Sequence, residues 1–415
     1  MWEEATKSVL EILANLSKFL SLTYEADAGF SYWLGLAGKL MGLCGALFYA
    51  YYWGKKVFRE KIQQVLVDPD AFWTRPASRD VVQSYRNRIE ISKPVLTIAN
   101  YKGGVGKSMI AANLAAYFDI VGYRVLLIDY DYQGSLTDIV PYADPNTMTF
   151  SAHEILMGER PARDITSPHL LGQSFQRTAI HPAEAALSRI DSNLVYQWLT
   201  GARKDDIRFN TQSYLASPVV QDNYDIIIID TPPRICAATA NALCAATHVL
   251  MPTILDTVSS RAVLRSVKMF LDFRDKLGLS FKMLGVVPSR VNSNGGYDSR
   301  ESMAISYLQS ELSSHFGKHA NPSTGTREPV PLLDQLPILK KSALLHLDGA
   351  DLEIFNRRPT PGNALIRVMF ARLGNHILEQ VGLKQLPSKE VIADADIRAT
   401  PTVVDIREGA RAGAG

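Results

Sequence analysis

A glycine-rich loop between an apolar strand and a helix constrains this chain more than any other feature. Residues 95–99, Val-Leu-Thr-Ile-Ala, are predicted as a short buried strand, and residues 109–121 are predicted as a helix. Between them the sequence reads Asn-Tyr-Lys-Gly-Gly-Val-Gly-Lys-Ser over residues 100–108. A strand, a glycine loop and a helix in this order present backbone N–H groups at a helix N-terminus. The stretch therefore predicts a phosphate-binding loop.

The loop departs at one position from the pattern G-x-x-x-x-G-K-[ST], because Lys102 stands where the first glycine is expected. We expect Lys107 to neutralise the β- and γ-phosphates of a nucleotide and the Ser108 hydroxyl to bind Mg²⁺. The nucleotide-binding residues predicted from this stretch are Gly103, Gly104, Val105, Gly106, Lys107, Ser108 and Met109.

Apolar runs alternate with helical patterns over the rest of the central region. Further strands are predicted at residues 124–129, 224–230, 248–252, 281–287 and 332–336, and helices at 259–276, 299–316 and 362–381. Strands that are apolar throughout indicate a parallel sheet covered on both faces. The predicted fold class is therefore α/β: a P-loop NTPase with a mostly parallel twisted sheet flanked by helices. Residues 141–222 are less regular and predict short peripheral helices.

Composition narrows the class of protein but does not identify a partner. The chain has 415 residues, of which 47% are hydrophobic and 21% are charged, as in a globular protein with a sizeable core. A net charge of +2 is too small to indicate nucleic-acid binding by itself, so any such binding has to rest on a local patch. The three cysteines form neither a metal-binding spacing nor a disulfide framework, which favours a reducing compartment.

The first 61 residues have a different character and predict an N-terminal helical membrane segment. Residues up to about 24 have the spacing of an amphipathic helix, and the run at about 31–53 carries a single charge, Lys39. As a helix this run extends about 34 Å, enough to cross a bilayer core. Aromatic residues cluster at both of its ends. Four glycines follow one stripe, namely Gly35, Gly38, Gly42 and Gly45.

The charges around this run predict its orientation. Basic residues follow it directly, whereas acidic residues predominate before it, so the positive-inside bias places the C-terminal bulk in the cytoplasm. The predicted location is the bacterial inner membrane, with a single pass and the phosphate-binding domain in the cytoplasm. Lys39 argues against a span, since a central charge costs about 2.5–3.5 kcal/mol on insertion. An interfacial or re-entrant anchor and a helix of a soluble protein of the cytoplasm or nucleoid are the alternatives.

Three further segments complete the predicted organisation. Residues 62–93 are mixed and polar and predict a connector, residues 94–383 form the predicted catalytic domain, and residues 384–415 predict a disordered tail. Within the catalytic domain, Asp230 ends a buried apolar strand, where a carboxylate is costly without a partner. Mg²⁺, reached through water, is the partner that we expect.

The string Lys-Gly-Gly-Val-Gly-Lys-Ser at 102–108 resembles the deviant Walker A loop of the ParA/MinD family of P-loop ATPases. Other landmarks resemble the family in the same order. They are Leu-Ile-Asp-Tyr-Asp-Tyr-Gln-Gly-Ser at 127–135, Tyr-Asp-Ile-Ile-Ile-Ile-Asp-Thr-Pro-Pro at 224–233, residues 240–243, residues 297–300 and residues 335–337. Tyr132 replaces the family's proline. The resemblance covers about 94–381 and is stronger to the partition branch than to MinD.

The resemblance implies roles for particular residues. ATP and Mg²⁺ are the implied cofactors, and Asp131 is implied to orient the attacking water, with Asp129 beside the metal that Asp230 binds. Ser289 stands where relatives place an Asn or Thr that reads adenine, and Pro337 lies at the strand end that contacts the base. Lys102 is implied to reach across a face-to-face homodimer to the partner's phosphate, as an arginine finger does.

The resemblance leaves several functions open. It implies an ATP hydrolase that dimerises with ATP, responds to a hydrolysis-stimulating partner protein and positions or partitions a cargo, here with a membrane anchor. A partition ATPase with nonspecific DNA binding is an alternative, since Arg300 matches a family position implicated in DNA contact. Further basic residues available for such a face are Lys340, Lys341, Arg357, Arg358, Arg367 and Arg372. A membrane-coupled tyrosine kinase-like protein is disfavoured because the tail lacks tyrosine, and a metal-cluster carrier because paired cysteines are missing.

Overall fold

A computed structural model of the chain describes residues 15, 30–67, 69–76, 91–140, 151–158, 169–170, 175–200, 202–203, 205–292, 297–316, 329–340 and 361–384. The predicted amphipathic helix before residue 25 lies almost entirely outside these residues, as does the predicted disordered tail. The chain divides into two compact units, Met1–Gln64 and Val65–Gly415.

The first unit contains most of a single long helix, α1, which runs from Phe30 to Val67. The predicted membrane span at 31–53 lies within it but is not supported, because no described helix is both long enough and apolar enough to cross a bilayer. Composition explains the discrepancy. Glycine, tyrosine and tryptophan take many of the positions that leucine, isoleucine or valine fill in a strongly hydrophobic span, and Lys39 lies inside the run.

The second unit is built on an eight-stranded sheet in the order β3-β4-β2-β5-β1-β6-β7-β8. Every neighbouring pair is parallel except β3 with β4, so seven strands form the parallel sheet that the sequence predicts. The strands are β1 Val95–Ile98, β2 Val125–Asp129, β3 His169–Leu170, β4 Thr178–His181, β5 Ile226–Asp230, β6 His248–Thr253, β7 Lys282–Val291 and β8 Ile338–Leu339.

Helices cover both faces of this sheet, which explains why its strands are apolar throughout. On β5, for example, Ile226 and Ile228 face one hydrophobic cluster while Ile227 and Ile229 face the other, and all four are fully buried. The described helices after α1 are α2 Pro69–Thr74, α3 Lys107–Ile120, α4 Ser135–Ile139, α5 Ala152–Met157, α6 Ile190–Thr200, α7 Asn210–Leu215, α8 Pro218–Asn223, α9 Ala237–Ala245, α10 Thr257–Leu277, α11 Ser299–Glu311 and α12 Pro361–Gln380.

Several strands differ from the prediction, and β3 and β8 are among those that were not predicted. β7 continues to Val291 rather than ending at 287, although Pro288 removes a backbone donor. The strand predicted at 332–336 is wrong, because Leu332 makes only an isolated bridge to Val286 and the Leu336 N–H closes a turn onto the Leu333 carbonyl. β4 was not predicted. Its four residues are fully buried between β2 and β3, but the sequence Thr-Ala-Ile-His has a polar residue at each end and shows no apolar run.

Part of the predicted connector belongs to the second unit and is folded against its core. Phe72 and Trp73 on α2 are only 4% exposed, and the ring of Trp198 packs edge-on against Phe72. The buried Arg208 guanidinium donates a 3.0 Å hydrogen bond to the Trp73 carbonyl and pairs with Asp206 at 2.6 Å. The apolar rings and this ion pair hold α2 in place.

The order of the strands determines where a ligand can bind. β1 is central, with β5 and β2 on one side and β6 and β7 on the other, so connections diverge on either side of its carboxyl end. Ligands of open α/β sheets bind in the crevice at this kind of topological switch point. The residues that follow β1, β2, β5 and β7 therefore meet at one edge.

Candidate functional site

The loop after β1 adopts the backbone geometry of a phosphate cradle. Gly104 and Gly106 have φ of 72° and 88°, the left-handed region that glycine occupies without steric cost. Gly106 caps helix α3, and a Cβ atom there would lie 3.3 Å from the terminal methyl of Met109. The loop and the first turn of α3 thus present N–H groups at the carboxyl edge of the sheet.

A cleft of about 270 Å³ opens beside this loop. Its lining residues are Gly103, Gly104, Gly106, Lys107, Ser108, Met109, Asp131, Ser135, Ile139, Pro233, Arg290, Leu339 and Lys340. Most of the predicted loop residues therefore meet around one cavity, together with Asp131 from the loop after β2. Val105 does not line the cleft, because its side chain is fully buried.

Lys107 places a cation at the base of the cleft. Its side chain is buried, and this burial lowers the pKa of the ammonium group, while Asp230 and Asp131 act in the opposite direction. The two carboxylates therefore help to keep a buried lysine charged. Such a cation is available to the phosphates of a nucleotide.

Asp129 and Asp230 lie side by side in the register of β2 and β5 but have different environments. Asp129 accepts hydrogen bonds from the Thr137 backbone and hydroxyl, both at 2.8 Å, and from the Asp131 N–H at 3.0 Å. Both oxygens of Asp230 are buried and accept no hydrogen bond from the described residues. Burial raises the pKa of Asp230, and the nearby Ser108 hydroxyl acts in the opposite direction, although it lies outside hydrogen-bonding geometry.

Burial raises the pKa of both carboxyl groups, and each is raised further by a neighbouring aspartate. Among the described residues, no cluster of three or more His, Cys, Asp or Glu side chains could hold a metal ion alone. Mg²⁺ commonly binds through one or two carboxylates together with substrate phosphates. The unpartnered Asp230 oxygens and the nearby Ser108 hydroxyl suit that mode of binding, whereas the Asp129 oxygens are already occupied.

Asp131 faces the cleft and is 8% exposed. One of its carboxylate oxygens accepts a 3.1 Å hydrogen bond from the Gln133 N–H, which holds the side chain in place. A carboxylate fixed at the wall of a phosphate-sized cleft can orient a water molecule.

Lys102 points out of the cleft of its own chain. Its Nζ atom lies 2.5 Å from the Ser259 hydroxyl and 3.8 Å from an Asp256 carboxylate oxygen, both at the start of α10. Asp256 also caps α10 by accepting from the Ser259 N–H at 2.7 Å. The lysine is thus held by a helix N-terminus of its own subunit and not by the phosphate loop.

The residues expected to contact the base are arranged differently from the prediction. Ser289 is fully buried, and its hydroxyl donates a 2.5 Å hydrogen bond to the Val105 carbonyl rather than facing the cleft. Pro337 does not line the cleft, but Leu339 and Lys340 of the same segment do. The prediction also missed Ser135, Ile139, Pro233 and Arg290. Pro233 and Ser135 close two of the family-like stretches, while Arg290 directly follows Ser289 in the sequence.

The residues suggested for a basic face are only partly brought together. Arg300 is exposed in the first turn of α11, as DNA contact would require. Arg367 is 8% exposed and so cannot belong to an exposed patch, and Lys340 lines the cleft. Arg372 is partly buried, and Lys341, Arg357 and Arg358 lie outside the described residues.

Known proteins resemble this chain over the same region. A family model described as an AAA domain matches residues 93–283. The chromosome-partitioning ATPase Soj of Thermus thermophilus is 28% identical over 224 residues, which are 54% of this chain and 77% of Soj. A Pseudomonas putida protein is 30% identical over 223 residues, which are 54% of this chain and 77% of that protein.

A putative replication protein A of Sinorhizobium fredii is 34% identical over 168 residues, which are 40% of this chain and 41% of that protein. The chain thus spans less than half the length of this relative. The solved ATP complex of a Cyanothece McdA variant aligns with a TM-score of 0.55 and 19% identity, covering 72% of this chain and all of that one, which shows a shared fold.

The matched region contains the loop after β1, both aspartates at the ends of β2 and β5, and most of the parallel sheet. The N-terminal segment before residue 93 lies outside the family model. The chromosome partitioning protein ParA of Caulobacter vibrioides is 29% identical over 223 residues, which are 54% of this chain and 76% of that protein. On the strength of the family match and of the ParA and Soj relatives, the chain belongs to the ParA family of P-loop ATPases.

Proposed function

We propose that the chain binds ATP with Mg²⁺ in the cleft beside residues 103–108 and hydrolyses it. The observation that carries this proposal is the position of Asp230, whose two buried and unpartnered oxygens lie beside Lys107 and Ser108 at the end of the phosphate loop. Burying a carboxylate without a hydrogen-bond donor costs free energy unless a cation balances its charge. Asp230, through water, and the Ser108 hydroxyl would hold Mg²⁺, which supplies charge stabilisation to the phosphates.

The other groups of the site have separate tasks in this proposal. The loop N–H groups and Lys107 bind the phosphate chain and stabilise the charge that develops during phosphoryl transfer. Asp131 orients the attacking water, a role its position at the wall of the cleft supports. Thr137 and the backbone of Asp131 hold Asp129, so that the loop after β2 stays against the site.

The proposal also includes an ATP-dependent homodimer in which Lys102 of each protomer acts on the partner's phosphates. Support comes from the position of Lys102 beside the phosphate loop but outside its own cleft. In this proposal, Lys102 leaves Ser259 and Asp256 when two protomers pair across bound ATP. A second positive charge near the phosphates then favours both the paired state and the transition state.

The biological role that we propose is that of a partition-type switch, in which ATP sets the paired state and a stimulating partner protein returns it to the unpaired state. The relatives named as chromosome-partitioning proteins support this role. Paired protomers would bind DNA without sequence preference through Arg300, which would place the chain at the nucleoid. The proposal contains no membrane-spanning anchor.

Hydrolysis by the full chain tests the enzymatic part of the proposal. Phosphate release from ATP with Mg²⁺ is measured for the wild type, Lys107→Ala and Asp131→Asn. Lys268→Ala, a change of an exposed lysine on α10 away from the cleft, is the matched control. We expect activity in the wild type and control and a loss of at least about 100-fold in the other two variants. Equal activity in all four proteins would contradict the proposal.

DNA binding is tested separately, by the mobility of nonspecific duplex DNA with and without ATP at several salt concentrations. We expect an ATP-dependent shift that weakens as salt rises, because phosphate contacts release counterions. Arg300→Ala should weaken it, whereas Arg265→Ala, an exposed arginine on α10, should not. A shift that depends on neither ATP nor salt would contradict this part.

A further inference from the structure

The end of β7 is attached to the phosphate loop by two consecutive residues. The Ser289 hydroxyl donates to the Val105 carbonyl at 2.5 Å. The guanidinium Nη1 atom of Arg290 donates to the Gly104 carbonyl at 3.1 Å. Two neighbouring carbonyls of the loop are therefore held from the side of β7.

These bonds determine which way the loop's donors point. In a trans peptide the carbonyl and the N–H of the next residue point in opposite directions. With the Gly104 carbonyl bound to Arg290, the Val105 N–H points away from the guanidinium, and the same relation holds between Ser289 and the Gly106 N–H. A hydrogen bond to the carbonyl also polarises the peptide and strengthens its N–H as a donor.

The backbone of Arg290 is strained. Among the described residues other than glycine, it alone has a positive φ, at 56°. The pairing of β7 with β8 shifts register between Ser289 and Val291, so Arg290 lies in a bulge that turns its side chain out of the regular alternation of the strand. A long side chain in the left-handed region costs free energy, and such strain is concentrated at functional sites.

Arg290 also contributes charge to the cleft. It lines the cavity together with Lys107 and Lys340, and the Lys340 N–H donates to the Val291 carbonyl at 2.7 Å, which holds the backbone of Lys340 beside the end of β7. A guanidinium carries five N–H donors, so the bond to Gly104 leaves others available. Charge-assisted bonds from arginine suit phosphate oxygens particularly well.

We propose that Arg290 is a polyphosphate-binding residue that β7 adds to the site, acting on the nucleotide's phosphate chain and on the orientation of the loop N–H groups. This inference rests on the proposed function, since it takes the cleft as the nucleotide site. The ligand class that follows is nucleoside di- and triphosphates, because neither the guanidinium nor the Ser289 hydroxyl, which is bonded to the Val105 carbonyl, selects the base.

Arg290→Asn provides a direct test, since asparagine tolerates the left-handed backbone but lacks the guanidinium. Affinities of the full chain with Mg²⁺ are measured by calorimetry for ATP, ADP, AMP and GTP, together with the melting temperature without nucleotide. We expect ATP affinity to fall about tenfold or more, ADP affinity to fall less and AMP affinity to change little. GTP affinity should fall by the same factor as ATP affinity, and the melting temperature without nucleotide should stay level or rise.

Several outcomes separate this inference from the proposed function. If the wild type binds no ATP, the proposed function itself fails. If Lys107→Ala loses ATP affinity while Arg290→Asn binds all four nucleotides like the wild type, only the role of Arg290 is overturned. A loss confined to one base, or a melting temperature several degrees lower without nucleotide, would also overturn it, as it would make Arg290 a base reader or a structural residue. Arg290→Lys, which keeps the charge but loses the planar fork, should retain part of the ATP affinity.

Discussion

The two carboxylates at the ends of β2 and β5 show how adjacent residues of one sheet can have opposite roles. Asp129 is satisfied by three donors and holds the following loop, whereas the described residues donate no hydrogen bond to the carboxylate oxygens of Asp230. Removing the charge at Asp230 should therefore stabilise the nucleotide-free protein and abolish the activity of the nucleotide-bound protein. The two effects belong to the same atoms, so stability and activity are expected to change in opposite directions.

Asp230→Asn tests this at the residue scale. A raised pKa means that the folded protein favours the protonated carboxyl, so the stability of the wild type falls as pH rises through that raised pKa. The wild type already loses stability as pH rises above the ordinary value of 3.8, and the amide cannot ionise, so the nucleotide-free variant should melt above the wild type at pH 6. At pH 9, beyond the raised pKa of about 8, this difference should be wider by about 2 °C or more. Differential scanning calorimetry measures both, and a variant that melts lower at pH 9 would contradict the assignment.

Lys102→Gln is the second test at this scale. The variant keeps the loop, Lys107 and the cleft, so its affinity for ATP should stay within about threefold of the wild type. Hydrolysis and ATP-dependent pairing should both be lost, because the charge that reaches the partner is gone. Calorimetry, phosphate release and sedimentation are compared with Lys268→Gln as the control. Equal loss of binding, pairing and hydrolysis would show that Lys102 serves its own nucleotide instead.

At the residue scale, some residues of the site could be predicted from the sequence and others could not, for a physical reason. Gly103, Gly104, Gly106 and Lys107 lie within five consecutive residues, and a motif shows them directly. Cleft residues such as Arg290 and Lys340 reach the cleft through the end of β7 and β8, and only the strand order shows this. Ser289 was found by its position, but its hydroxyl is committed to Val105, which no sequence pattern reveals.

At the scale of elements, the strands that read as apolar runs were predictable and the others were not. β1, β2, β5 and β6 are buried along nearly their whole length and are mostly apolar in sequence. β4 reads Thr-Ala-Ile-His, with a polar residue at each end, and β8 has only two residues, so their pairing partners determine both strands. The predicted span at 31–53 coincides with part of α1, so the helix was found while its apolar strength was overestimated.

The attachment of α2 gives a prediction at this scale. Burial alone would raise the pKa of Asp206, but its hydrogen bonds with Arg208 lower it, so both groups are ionised within a buried pair. Arg208→Met leaves Asp206 without its partner and the Trp73 carbonyl without its donor. Urea denaturation should show a loss of about 3–5 kcal/mol in the free energy of unfolding.

Two further variants complete this test. Adding Asp206→Asn to Arg208→Met should recover part of the loss, since the buried charge is then removed. Arg189→Met, at an exposed position, should change the free energy of unfolding by less than about 0.5 kcal/mol. A loss below about 1 kcal/mol in Arg208→Met would mean that the pair does not hold α2.

At the scale of the whole molecule, the parallel sheet brings the ends of four strands to one edge, and the proposed chemistry lies there. Each strand end contributes one kind of group: N–H donors after β1, carboxylates after β2 and β5, and a guanidinium near the end of β7. Because these groups come from distant parts of the sequence, the site exists only when the sheet is complete. Activity and the folded structure should therefore be lost together on denaturation.

The central claim is that ATP bound in this cleft controls pairing of the chain. Sedimentation velocity of the full chain carrying Asp131→Asn, which should bind ATP without hydrolysing it, tests this claim most directly. With ATP and Mg²⁺ we predict a dimer. Without nucleotide, or with Lys102→Gln added, we predict the slower-sedimenting unpaired species. The same sedimentation coefficient with and without ATP, in a protein that calorimetry shows to be saturated with nucleotide, would contradict the account.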